Sequence, residues 1–287
     1  MKYRFVEDNR SAYGVERMCR ILRISRSGYY DWRGREPSQR QLRHERLLPE
    51  IRLVFEDSRQ TYGGPRVFDS LKARGHRCGK HQVEALMRQN GITPKRRRKF
   101  KKTTDSDHNY PIAPNLVERV FETELLNRLW TSDITYIWTS EGWLYLAVVL
   151  DVCSRRIVGW GMSHRLQDEL VVRAIKQALA QRQVAEGLIF HSDRGSQFAG
   201  DACQKLLDDY HIRPSMSRKG DCYDNAISES FFGTLKTELV YVEEFQTREE
   251  AKLKIFDYIE VFYNRQRIHS SIGYKTPADF EKTKSLS

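Results

Sequence analysis

Apolar residues in this chain follow a helical period first and a strand period later. In "GVERMCRILRISRSGYYDWR" (14–33), Val15, Met18 and Leu22 predict one helix, and a second opens at Ser25 after a short break. This is a helix-turn-helix outline, assigned to residues 1–45. "LLPEIRLVFEDS", "YGGPRVFDSLKARG" closing at Gly75 and "GKHQVEALMRQNG" closing at Gly91 predict three more helices, a second helix-turn-helix over 46–102. Thr, Asp, Asn and Pro crowd "TTDSDHNYPIAPN", which marks a linker over 103–117.

The period then changes. "LWTSDITYIWT" (129–139), "GWLYLAVVLDVCS" (142–154) and "RRIVGWGMS" (155–163) are aromatic and β-branched runs with short connections, as in an antiparallel meander. A helix at 168–182, a strand "GLIFHSD" (187–193), a helix near 199–210, a strand "IRPSM" and a last helix follow. The order β-β-β-α-β-α-β-α predicts an α/β core over 118–240, a mixed five-stranded sheet with flanking helices. An amphipathic helix at 249–263 lies in a C-terminal helical extension, 241–287.

The last core helix, in "DNAISESFFGTLKTEL" (224–239), has Asp224 as its N-cap candidate and Asn225 as its first residue. At 100° per residue, Ile227, Phe231, Phe232, Leu235 and Leu239 fall in a stripe about 160–300° around from Glu229, and Lys236 falls within about 20° of it. A carboxylate and a lysine thus share one line beside an apolar face.

Charge sharpens the division. Residues 1–102 hold 27 Lys and Arg against 11 Asp and Glu, whereas 103–287 hold 22 against 27. The first third is therefore a candidate for polyanion binding, with Arg26, Tyr29 and Tyr30 of the second helix offered to a groove. In "KRRRKFKK", Lys95, Arg96, Arg97, Arg98, Lys99, Lys101 and Lys102 form a strap suited to tracking phosphates without reading sequence. No apolar run reaches membrane-spanning length, "MKYRFVEDNR" is no signal peptide, and five scattered cysteines without a C-x-x-C pair indicate reduced thiols in a cytosolic protein. His76, Cys78 and His81 lack the paired spacing of a zinc finger.

Three acids stand out: Asp133 within the first strand, Asp193 ending the fourth with Gly195 behind it for a sharp exit, and Glu229 on the last helix. Parallel pairing of strands one and four would bring the aspartates side by side at strand ends, and the apolar stripe would bring in Glu229. Three converging carboxylates repel one another unless a cation offsets them, and hard oxygen donors select magnesium, with manganese able to substitute. Two such ions act on a phosphodiester by activating the attacking oxygen and stabilising the leaving one. Lys236 faces the same side, placed for a DNA phosphate. Asp151 reads as structural, pairing with Arg155 or Arg156; Asp221 and Asp224 as loop or cap residues; and His191 as a further candidate for the active-site face. Asn264, Arg265, Arg267 and His269 either pack on the core or touch DNA.

Thirty-five residues separate Asp193 from Glu229, and a lysine stands seven positions past the glutamate. This resembles the DDE signature of retroviral-integrase-type transposases. "WTSDITYI", "LDVCSRRIVGW", "FHSDRGSQF", "SRKGDCYDNAISESFFGTLKTEL" and "YNRQRIHSSIGYKTPADF" together resemble the second-reading-frame product of insertion-sequence family three, over nearly the whole chain. The resemblance implies an RNase H-like core, two divalent ions held at Asp133, Asp193 and Glu229, and a transposase that cuts and joins element ends. It implies binding of double-stranded DNA at terminal inverted repeats and target, a dimer or larger assembly, and a partner frame upstream that this chain, beginning at Met1, lacks. The expected location is the bacterial cytoplasm, at the nucleoid when bound. Two rival readings are a non-catalytic end-binding regulator of transposition and a junction-cutting nuclease of related fold.

Overall fold

The computed structural model describes residues 1–95, 110–117, 123–218 and 226–285, which divide into two compact units at Leu53/Val54. The first unit contains α1 (Lys2–Asp8), α2 (Val15–Leu22) and α3 (Arg26–Gly34), and the boundary falls inside α4 (Gln39–Asp57). The break at residues 23–25 is as the pattern predicts. Arg23 adopts the left-handed conformation that ends α2, and the Ser25 hydroxyl caps α3 by accepting the Gly28 N–H at 3.0 Å. Val6, Met18, Cys19 and Tyr29 close a small core. The pattern missed α1, whose single buried residue, Val6, gives it no periodic signal.

The second unit begins with α5 (Gly64–Ala73) and α6 (Lys80–Gln89). Gly75 and Gly91 follow these helices at φ +86° and +67°, which side chains with a Cβ rarely adopt. Then come β1 (Leu129–Thr139), β2 (Gly142–Asp151), β3 (Ile157–Ser163), α7 (Asp168–Gln181), β4 (Ile189–Ser192), α8 (Ser196–Ala199), α9 (Asp201–Asp209), β5 (Arg213–Met216), α10 (Ala226–Leu235), α11 (Arg248–Phe256) and α12 (Pro277–Ser285). Two helices run on as π turns: α10 through Lys236–Val240 and α11 through Asp257–Tyr263.

The five strands form one sheet in the order β3-β2-β1-β4-β5. β1 pairs antiparallel with β2 and parallel with β4, and β4 pairs parallel with β5. Both faces are covered, so β2 is buried on both sides. Leu144, Leu146, Val148 and Leu150 face α10 and α11, while Ala147 and Val149 face α7 and α9. On the α7 side the helix lies almost on the strand backbone. A Cβ at Gly159 would come within 2.1 Å of the Ala174 carbonyl oxygen, and one at Gly161 within 2.6 Å of that of Leu170. On the other side Phe231, Phe232 and Leu235 of α10 are buried, each contributing about 2–3 kcal/mol of apolar burial, and Ser228 donates to the Thr131 hydroxyl at 3.0 Å. These contacts dock α10 on β1.

The C-terminal segment is bolted to the sheet by polar groups. Asn264 brackets the first residue of β3, accepting the Ile157 N–H and donating to its carbonyl, both at 3.0 Å. Glu281 of α12 takes Arg156 at 2.6 Å, Arg182 at 2.7 Å and the Ser154 hydroxyl at 2.8 Å. No described helix is long and apolar enough to cross a membrane.

Candidate active site

β1 and β4 are in register from Leu129↔Ile189 to Thr131↔His191, and the same register continued two residues sets Asp133 opposite Asp193, just past the end of β4. The parallel pairing that the sequence reading required is therefore present. Each carboxylate is aimed by a local backbone bond. Asp133 Oδ1 accepts the Ile134 N–H at 2.7 Å, and Asp193 Oδ1 accepts the Gly195 N–H at 2.9 Å. Gly195 itself has an ordinary φ of −62°, so a sharp exit is not its reason. A Cβ there would stand 3.1 Å from Asp193 Oδ1, and glycine leaves that oxygen room.

Glu229 is exposed on α10, one residue after the Ser228–Thr131 bond that fixes the helix to β1. Burial pushes the Asp133 carboxyl well above the usual carboxylate range. The charges of Asp193 and Glu229 push the same way, against the Ile134 N–H and Lys236. Asp133 therefore lies in the field of Asp193, Glu229 and Lys236. Lys236, first residue of the π turn, has its ammonium pKa lowered by burial, with Asp133 opposing. The side chains do not close into a cage: among the described residues no three His, Cys, Asp or Glu groups are placed to hold one ion, and this includes His76, Cys78 and His81. The donor chemistry of Asp133, Asp193 and Glu229, all hard carboxylate oxygens, fits a divalent cation, although the three do not form one ligand group.

Beyond Asp133, β1 leaves β4 behind, and a cleft of about 830 Å³ opens between its hairpin and the segment after α10. Tyr136, Trp138, Trp143 and Tyr145 line one wall and Lys236 one end, with Trp138 and Trp143 packed edge to face at 4.9 Å. Burial raises the Tyr136 pKa, and the charges of Asp193 and Asp133 add to it. In the sequence these aromatics look like ordinary strand residues; alternation puts them on one face but does not say that face is open.

The structure separates the other candidates. Tyr29 is fully buried and its hydroxyl donates to Glu7, so the expectation that it meets a groove is corrected. It is the core residue of α3, whereas Tyr30 and Arg26 are exposed, Arg26 standing 3.8 Å from Glu16. Lys95 donates to the Glu238 carbonyl at 3.0 Å. Arg96, Arg97, Arg98, Lys99, Lys101, Lys102, Asp221, Asp224 and Asn225 lie outside the described residues. Asp151 is structural: its carboxylate accepts the Asn127 N–H at 2.7 Å and the Ser154 N–H at 3.0 Å, and it pairs with Arg155 and Arg156 through the backbone rather than through that carboxylate. His191 is buried, with Nδ1 2.9 Å from the Ser215 hydroxyl.

Asn264, Arg267 and His269 pack on the core, and Arg265 is exposed. Arg267 forms a buried bidentate pair with Glu238 of the π turn, at 2.8 Å from Nη2 and 2.9 Å from Nε, and Tyr258 donates to the same carboxylate at 2.7 Å. The neutral His269 ring lies 3.4 Å from Arg267 Nη1, its pKa pushed down to about 2 by burial and then by Arg267. Glu238 and Arg267 are 29 positions apart, and no spacing rule links them.

Models of the integrase core domain match residues 125–222 and 229–286, and a model of an HTH-like domain matches 43–100. The core match and the sheet order define an integrase-type catalytic core of RNase H-like class, as expected from the sequence. The chain is 41% identical over 283 residues to the transposase InsF for insertion sequence IS3A of Escherichia coli strain K12, covering 98% of each chain. It is 43% identical to an uncharacterised 31 kDa protein of insertion element IS600 from Shigella sonnei, over 92% of this chain and 97% of that one. This protein belongs to the IS3 family of insertion-sequence transposases. Among solved structures, it resembles the simian T-cell lymphotropic virus intasome, at 15% identity and a TM-score of 0.47, over 74% of this chain and 69% of that one. It also resembles the HTLV-2 integrase catalytic core in complex with magnesium, at 18% identity and a TM-score of 0.41, over 53% and 94%.

Proposed function

We propose that the protein cuts and joins DNA at the ends of an insertion element, using Asp133, Asp193 and Glu229. The observation that carries this reading is the register-matched pair of aspartates with Glu229 in their field. In this reading Asp133 and Asp193 hold divalent metal, magnesium or manganese, and Glu229 completes the set. When bound, the metal supplies Lewis acidity and a more acidic water. The chain's own residues do the rest. Asp133 and Asp193 present oxygens oriented by the Ile134 and Gly195 amides, Lys236 holds a phosphate beside them, and α10 fixes Glu229 relative to β1. Water frees a 3′ hydroxyl in a first in-line displacement, and that hydroxyl attacks a second phosphodiester, so no ATP is consumed.

The helices of residues 1–102 and the basic run from Lys95 to Lys102 bind the terminal repeats, with Arg26 and Tyr30 on the exposed side of α3. Two ends held together require a dimer or larger assembly. The divisions at 45, 102, 117 and 240 belong to the same proposal. A second reading, an end-binding regulator without catalysis, is favoured by one observation: the three acids do not form a common ligand group. A 3′-end joining assay in magnesium, with short duplexes carrying the element's ends, separates them. Joining by the wild type and its loss in D193N, with DNA binding retained, is expected. Cleavage without joining would indicate the nuclease, and binding alone the regulator.

A further inference from the structure

On another face of α10, a pocket of about 240 Å³ opens between that helix, α5, the turn after β2 and the C-terminal segment. Arg66, Arg155 and Arg267 line it, with hydroxyls from Ser230, Ser270 and Ser271. Ser230 lies about 100° around the helix from Glu229, so this is not the acid site. Arg267 is neutralised by Glu238. Arg66 and Arg155 are not: among the described residues, no acid or hydrogen-bond acceptor pairs with either guanidinium. Arg66 stands over the Tyr62 ring, 5.8 Å from its centroid. Arg155 sits at φ +62° on a turn held by its own N–H to the Asp151 carbonyl at 2.8 Å, which fixes where the side chain starts.

Three guanidiniums against the Glu238 carboxylate, with Asp151 a weaker opposing charge at Arg155, leave the pocket positive. Burial lowers the pKa of Arg66 and of Arg155, and the charge of Arg267 lowers that of Arg66 further. His269 and Tyr263 both feel all three arginines. Half-buried like charges are costly to hold together unless an anion joins them.

We propose that this pocket binds a phosphate group, either from a nucleic-acid backbone or as a free anion. Guanidinium forks match the oxygens of a phosphate, and the serine hydroxyls add donors around it. The volume is below the roughly 300 Å³ at which drug-sized pockets begin, and suits a tetrahedral oxyanion with a few waters. The backbone source rests on the DNA binding proposed above, not on strand joining, and the free anion rests on neither.

The test is thermal unfolding of the full chain against inorganic phosphate, with chloride matched for ionic strength. The wild-type midpoint is expected to rise with phosphate, as for any ligand that binds only the folded state. R66Q/R155Q is expected to start no lower without phosphate and to show no rise. Should that variant fold poorly, S230D supplies a carboxylate at the pocket wall, expected to raise the phosphate-free midpoint and cancel the response. A second arm measures binding to a duplex of arbitrary sequence over a salt series. Loss of about 0.9 from the slope of log affinity against log salt in R66Q/R155Q identifies a backbone phosphate. An unchanged slope with a wild-type phosphate response that the variant lacks identifies a free anion. An unchanged slope, together with either a wild-type midpoint indifferent to phosphate or an equal phosphate response in wild type and variant, overturns the proposal. Neither arm reads strand joining, so a failure of the catalytic reading leaves both intact.

Discussion

Asp133, on β1, and Glu238, in the π turn that continues α10, are both carboxylates, and they live under opposite rules. Around Asp133 like charges converge, and burial with Asp193 and Glu229 raises its pKa against Lys236. Around Glu238 opposite charges meet in full, with Arg267 bidentate and Tyr258 donating. The second arrangement satisfies itself and holds the fold. The first is a local conflict, which a folded chain tolerates where a ligand resolves it. Charge that is buried and satisfied fixes structure; charge that is buried and frustrated marks a site for chemistry.

Substitution separates the two. D193N removes a charge from the frustrated cluster. Strand joining in magnesium is expected to fall by at least about 10³-fold, as for a member of a group acting as a unit, while the unfolding midpoint rises. A fall in both would make Asp193 a structural residue. R267A strands Glu238 in the interior and should cost about 3–5 kcal/mol in urea unfolding. A loss under about 1 kcal/mol would equate the pair with a surface ion pair and erase the contrast.

G159A sets the scale for a lesion that touches no charge. The new methyl group meets the Ala174 carbonyl of α7, and the same unfolding experiment should show a loss of up to about 3 kcal/mol. Joining per folded molecule should stay unchanged. The smallest effect is in pH. His269 is neutral in the fold, with its pKa at about 2 against 6.5 unfolded. The unfolded chain binds the extra proton below pH 6.5, so this contribution is complete above that value and is lost as pH falls toward 2. Between pH 7 and 5 the loss is about 2 kcal/mol, and H269N should abolish it. A profile that H269N leaves unchanged would remove His269 from the satisfied network.

Local rules carried the reading of the sheet. Aromatic and β-branched alternation placed β1 at 129–139, where the structure has it, and the glycines after α5 and α6 stopped those helices as expected. The aspartates were legible because strand pairing alone brings them together. Elsewhere nonlocal packing decided. "LLPEIRLVFEDS" predicts a helix from Leu47, yet α4 begins at Gln39 and carries Pro49 inside. The wheel that aligned Glu229 with Lys236 assumed α geometry throughout, and the π turn begins at Lys236 itself. Tyr29 and Tyr30 are adjacent aromatics with the same local signal, and only the packing of α1 and α2 decides that one is core and the other surface. Arg66 and Arg155 come from distant elements that meet only in the folded unit.

The short parallel seam between β1 and β4 has an evolutionary corollary. Pairing ends at Thr131, two residues before the first acid, and the hairpin continues as an arm with its own aromatic surface. Mutations at Trp138 or Trp143 can therefore accumulate without shifting the carboxylates. A lineage could retune what that arm touches while inheriting the paired aspartates unchanged.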